Sequence, residues 1–158
     1  MSLFPLRYFG DPLLETPCEP VKEITPEITS FIDSLLETMY YEEGVGLAAP
    51  QVGKLKRITV IDPTRGQLKK ELLVLINPEI LFKSPETVVL KEGCLSFPDI
   101  EMNIERPKSI KIRALNRSGE EFILDATDLL SRIIQHEIDH LDGILYTERA
   151  PRIEKELV

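Results

Sequence analysis

The sequence predicts an α+β fold with antiparallel sheet, and three observations carry that reading. An apolar helical repeat near the start, a series of short β-rich runs in the middle and a second helical repeat near the end follow one another. No regular strand–helix alternation joins them, so parallel βαβ units are not expected. Two of the middle runs, 109–115 and 121–125, flank Asn116-Arg117-Ser118-Gly119, a turn sequence that makes them a hairpin.

The elements follow in order. Residues 1–25 carry Pro5, Pro12, Pro17 and Pro20 and read as extended, irregular chain laid over a core. Thr25 is a helix N-cap and Pro26 suits the first turn. Ile28, Phe31, Ile32, Leu35, Leu36 and Met39 then repeat at helical spacing, and Gly44 is expected to end the run. Strands are expected at 57–62, 72–76, 86–90, 109–115 and 121–125, and a final helix over about 127–141. With no repeat, low-complexity tract or linker, residues 1–158 read as one domain.

A hydrophobic content of 42% with 29% charged residues describes an ordinary globular chain rather than a disordered one. The net charge of −8, from 27 acidic and 19 basic residues, argues against a dedicated nucleic-acid binder. The opening stretch has no apolar run long enough for a signal peptide or membrane span, so a cytoplasmic location is expected, with no membrane partner. Cys18 and Cys94 should then stay reduced.

The chemistry centres on Ile133–Gly143, IIQHEIDHLDG, which holds both histidines of the chain. Successive helical residues turn by about 100°, so with Leu129 at zero His136 falls near 340° and His140 near 20° (approximate angles). Leu129, Leu130, Ile133, Ile134, Ile138 and Leu141 share an apolar arc; Asp128, Ser131, Arg132, Gln135, Asp139 and Asp142 fill the opposite one and are expected to face water. Glu137 sits at about 80°, in the middle of the apolar arc. A carboxylate facing a core is costly unless compensated, and two imidazoles with a cation would compensate it.

Two histidines do not complete a metal site. The metzincin extension would place a third histidine where Tyr146 stands, and only Glu148, Glu154 and Glu156 follow as carboxylate candidates, so a zinc metallopeptidase fits poorly. Cys94, in KEGCLSFP, is the better third ligand; Cys18, in ETPCEP, reads as a packing residue or an exposed thiol. Cys94, His136 and His140 form an open three-ligand site with room for water, whose proton Glu137 takes and passes to a leaving amine. Thiolate with imidazole suits zinc or ferrous iron equally.

GVGLAAPQ (44–51), EGCLS (92–96) and QHEIDH (135–140), in this order, resemble the peptide deformylase family. The resemblance covers nearly the whole chain. It implies antiparallel β-sheets packed around a central C-terminal HExxH helix, with the N-terminal helix outside. It also implies removal of the N-formyl group from the formylmethionine of new polypeptides by an Fe2+ enzyme, with zinc, nickel or cobalt acceptable in purified protein. Cys94, His136 and His140 would be the ligands and Glu137 the general acid/base. Gln51 and the backbone N–H of Leu95 would hold the formyl oxygen, an oxyanion hole by role. The peptide would add as a strand beside Val45 and Gly46, and Leu129 and Ile133 would wall the methionine pocket.

Two features depart from many relatives. Asp99 and Glu101 stand where an arginine often follows the C-L-S-x-P stretch, and the C-terminal TERAPRIEKELV has three acids and three bases rather than a basic helix. Transient ribosome contact is thus not evident from the C-terminus. The alternatives are the HExxH metallopeptidase and an inactive metal- or peptide-binding relative, distinguished by digestion of unformylated substrate or by binding without formate release.

Overall fold

The structure is a computed structural model and describes residues 2–150. Glu154, Glu156 and most of the C-terminal stretch considered for ribosome contact lie outside the described residues. Helix α1 spans Pro26–Tyr41 and begins as its sequence dictates: Thr25 Oγ1 accepts from the N–H of Ile28 at 3.2 Å, and Pro26 occupies the first turn. Gly44 does not provide the left-handed turn at its end. Glu43 takes a φ of 58°, and the Gly44 N–H donates to the carbonyl of Met39 at 3.0 Å. Gly44 instead lies close against Leu95, whose Cδ1 a Cβ there would meet at 2.8 Å, so any larger residue would require the leucine side chain to move.

Among the described residues seven strands follow: β1 Gly46–Ala48, β2 Ile58–Ile61, β3 Leu73–Lys83, β4 Thr87–Cys94, β5 Phe97–Pro107, β6 Ser109–Leu115 and β7 Glu121–Thr127. They form a five-stranded sheet, β1-β2-β3-β6-β7, and a separate β4–β5 ladder, with every pair antiparallel. The β6–β7 hairpin turns as its sequence requires, the Asn116 side-chain oxygen accepting from the N–H groups of Ser118 and Glu120. β3 runs on past its predicted end: Asn77 adopts a φ of 52° and Pro78 sits in the register shift between Ile76 and Glu79. Sequence periodicity missed β1, which is too short, and β5, whose Pro98 and acidic residues hide the buried alternation Met102, Ile104, Arg106.

Helix α2, Asp128–Leu141, lies between the two sheets. Ile133, Ile134 and Ile138 pack with Ile61, Leu75, Ile110 and Ile112 of the larger sheet, whose other face receives Ile32, Leu35 and Met39 of α1. The polar arc of α2 corrects the sequence reading. Ser131, Arg132, Gln135 and Asp139 are buried, because this side meets the β4–β5 hairpin instead of water. There Gln135 donates to the Pro107 carbonyl, and Arg132 donates to the carbonyls of Ile104 and Val88. Leu129, by contrast, is 56% exposed despite its place in the apolar arc. Among the described residues no helix is long and apolar enough to cross a membrane.

Candidate metal centre

One helical turn separates His136 from His140, so their rings lie together with centroids 4.9 Å apart. Cys94 arrives opposite them as the last residue of β4. The ladder shifts register between Gly93 and Cys94, and such a bulge re-aims the side chain that follows. Cys94 Sγ consequently lies 3.3 Å from His140 Nε2, which lies 3.2 Å from His136 Nε2, and all three atoms fall within 4.8 Å of one another. Tetrahedral ligation with ordinary zinc–sulfur and zinc–nitrogen lengths sets ligand atoms about 3.3–3.6 Å apart. The donor set fits one divalent cation.

The imidazoles differ in electrostatic setting. Burial pushes His140 well below its ordinary range, and the charges of His136 and Arg106 add to this, favouring the neutral form that ligates. Burial also acts downward on His136, but hydrogen bonds with Cys94 and Glu92 outweigh it and raise the group to about 10, so a cation at Nε2 must displace a proton. Its Nδ1–H donates to Glu92 Oε1 at 2.9 Å, which leaves Nε2 facing the other two donors.

Glu137 is buried, and no described atom hydrogen-bonds its Oε1. Burial lifts its carboxyl to about 7; the charge of His136 opposes that rise and the charge of Glu92 adds to it. Gly46 accommodates it, since a Cβ on Gly46 would come within 2.6 Å of Glu137 Oε2. Gln51, on a 3₁₀ turn over Ala49–Val52, is fixed at both ends of its amide. Its Oε1 accepts from the N–H of Ala48 at 2.9 Å, while Nε2 donates to Ser96 Oγ at 3.1 Å and lies 3.5 Å from Cys94 Sγ. Leu95 occupies the turn between β4 and β5.

Val45, Gly46, Leu129 and Ile133 line a single cleft of about 620 Å³, together with Gln51, Cys94, Leu95, His136 and Glu137. β1, which contains Gly46, is the outer strand of its sheet. Asp99 and Glu101 line the same cleft. Tyr146 is no ligand, as its hydroxyl donates to the Ile100 carbonyl at 2.8 Å; Glu148 accepts from the N–H of Leu145. Cys18 packs with Ala48 and Leu141, and burial raises its thiol to about 11, the behaviour of a packing residue.

A charge network around Glu92 escaped the sequence reading. Arg106 donates from Nε to Glu92 Oε2 at 2.5 Å and from Nη2 to Oε1 at 3.0 Å, and Arg132 Nη1 reaches the same Oε2 at 2.5 Å. The available signal was Arg106 itself, a charge in the same alternation as Met102 and Ile104. Burial alone would raise Glu92, but hydrogen bonds from His136 and Arg106 and the charge of Arg106 hold it at about 2, against an ordinary 4.5. Its stabilising contribution is therefore complete above pH 4.5 and is lost as pH falls from there toward 2. Thermal melts across that window should show wild-type stability dropping steeply and Glu92→Gln, weaker at neutral pH, dropping less. Parallel slopes would remove Glu92 as the responsible group.

A His-Glu-x-x-His helix held between antiparallel sheets and faced by a cysteine sulfur defines an α+β protein of metallohydrolase class. Residues 3–156 match the family model of polypeptide deformylase. The peptide deformylase of Acidobacterium capsulatum is 44% identical over 158 residues, covering 100% of this chain and 92% of the relative. That of Halothermothrix orenii is 45% identical over 158 residues, covering 100% of both. The crystal structure of the Thermotoga maritima peptide deformylase gives a TM-score of 0.90 at 42% identity, covering 96% of this chain and 99% of that one. A plant peptide deformylase gives a TM-score of 0.95 at 33% identity, covering 99% and 85%. The chain belongs to the polypeptide deformylase family, metalloenzymes that remove the N-formyl group from formyl-Met peptides. The metallopeptidase alternative is not favoured.

Proposed function

We propose that Cys94, His136 and His140 hold a ferrous ion and that Glu137 carries the proton during deformylation of nascent formyl-Met chains, within a single catalytic domain over residues 1–158. The observation behind this reading is the convergence of one sulfur and two ring nitrogens beside a buried, unpartnered carboxylate oxygen. When bound, such a cation supplies Lewis acidity and makes water more acidic. The choice of iron follows the family resemblance, since the donor set accepts zinc, nickel or cobalt as well.

Glu137 takes a proton from the attacking water and delivers it to the amine nitrogen as the formyl carbon–nitrogen bond breaks, releasing formate. A carboxyl that burial raises above its ordinary range suits both transfers. The Gln51 amide and the Leu95 N–H hold the formyl oxygen, a role supported by their places beside Cys94. The peptide lies along the outer edge of β1 at Val45 and Gly46, and Leu129 and Ile133 receive the methionine side chain. A half-exposed Leu129 at the cleft is consistent with a wall that is covered only by substrate. The setting is cytoplasmic, with transient ribosome contact.

Anaerobically prepared protein should contain one metal per chain and release formate from a formyl-Met peptide. Cys94→Ala should lose both properties. Metal retained by Cys94→Ala, or internal cleavage of an unformylated peptide, would overturn the assignment.

A further inference from the structure

The last described turn, Tyr146–Arg149, engages the surroundings of the centre without reaching it. Arg149 grips Asp139 through two parallel hydrogen bonds, Nε to Oδ2 at 2.7 Å and Nη2 to Oδ1 at 2.8 Å. That same Oδ2 accepts from Arg106 Nη1 at 2.9 Å. Arg106 holds both oxygens of Glu92, and Glu92 holds His136 Nδ1. An unbroken chain of charge-assisted hydrogen bonds thus runs from Arg149 to a ring nitrogen of His136. From the same turn, the Tyr146 ring lies 5.6 Å from the His136 ring and is braced edge-on by Phe97.

A guanidinium is a rigid plane, so Arg106 cannot shift against Asp139 without shifting against Glu92. The position of Asp139 is therefore passed on to Glu92 and then to the plane of the His136 ring. Asp139 lies on α2, while Glu92 and Arg106 belong to the β4–β5 hairpin. Among the described residues, Arg149 is the member of this chain that comes from neither element. It fixes the carboxylate plane from outside. Loss of Arg149 would still leave Asp139 paired with Arg106, so its contribution is to orientation more than to charge balance.

We infer that Arg149 is a positioning residue for the metal centre: through Asp139, Arg106 and Glu92 it fixes the His136 ring and so sets how tightly the site holds a divalent cation. The inference rests on the ligand set proposed above.

The test uses the full chain, stripped of metal by chelation and titrated with cobalt(II) against a chromophoric chelator. Wild type should show a thiolate-to-cobalt absorption band that Cys94→Ala lacks. Arg149→Met should bind cobalt about tenfold more weakly, in the range for partners beyond the ligands, with shifted ligand-field bands. Arg149→Lys, which keeps the charge without the fork, should fall between them. Arg113→Met, which breaks the exposed pair with Glu79, should match wild type. Wild-type affinity and spectrum in Arg149→Met would overturn the inference, including when its melting temperature falls, because Arg149 would then be a structural clasp only. Should Arg149→Met fail to fold, Arg149→Gln takes its place with the same two outcomes. A wild-type protein without the thiolate band would overturn the ligand set itself, and the Arg149 inference with it.

Discussion

Glu137→Gln is expected to lower turnover of formyl-Met peptides by a factor of about 10²–10⁴ while metal content and melting temperature stay near wild type. Glutamine keeps the shape of the side chain, which matters where the side chain fits only because Gly46 has no Cβ. It removes the ability to take a proton. The carboxyl belongs to neither histidine nor thiolate, so the three donors that converge near it are untouched. Stability should change little, since Oε1 has no hydrogen-bond partner among the described residues and glutamine keeps an oxygen for the Thr59 side chain. Formate release, metal analysis and a thermal melt on the same preparation check all three statements. Wild-type turnover would move the proton carrier elsewhere, and loss of metal would make Glu137 a structural member of the site.

Arg106→Met is expected to destabilise the fold by about 3 kcal/mol, the lower end for breaking a buried ion pair. For a chain of this size that corresponds to a fall in melting temperature of roughly 6–12 °C. The lower end applies because neither carboxylate is stripped bare. Glu92 keeps Arg132 and His136, and Asp139 keeps Arg149. What disappears is the buried cation that, among the described residues, faces both. Urea unfolding of Arg106→Met and of the double variant Glu92→Gln/Arg106→Met measures it, and the double variant should lose less than the two single losses added. A cost below about 1 kcal/mol would place Arg106 with exposed surface pairs and sink the reading of a buried network.

Local signals made some elements legible from the chain alone. Thr25-Pro26 marks the start of α1 because an N-cap and a first-turn proline act within four residues. Asn116 to Gly119 defines the β6–β7 turn for a similar reason. β5 was hidden because proline and acidic residues mask its alternation, and its pairing with β4 becomes visible only when the two strands meet. The same limit explains the polar arc of α2. Polar residues opposite an apolar face look like a solvated surface until a second sheet, carrying its own buried acid and base, covers them.

The sequence by itself determined that two histidines stack on one face of α2 as a candidate metal site, that Glu137 turns inward beside them, and that a cysteine is the third donor to look for. These follow from helical period and residue chemistry, which act within a few residues of one another. Only the tertiary structure decided that Cys94 reaches the imidazoles, that Gly46 clears space for Glu137, and that Glu92, Arg106, Asp139 and Arg149 surround His136 with charge. Those contacts join residues far apart in the chain, Cys94 and His140 by 46 positions and Gly46 and Glu137 by more. Their geometry is fixed by how sheets and helix pack, not by any local preference of the chain.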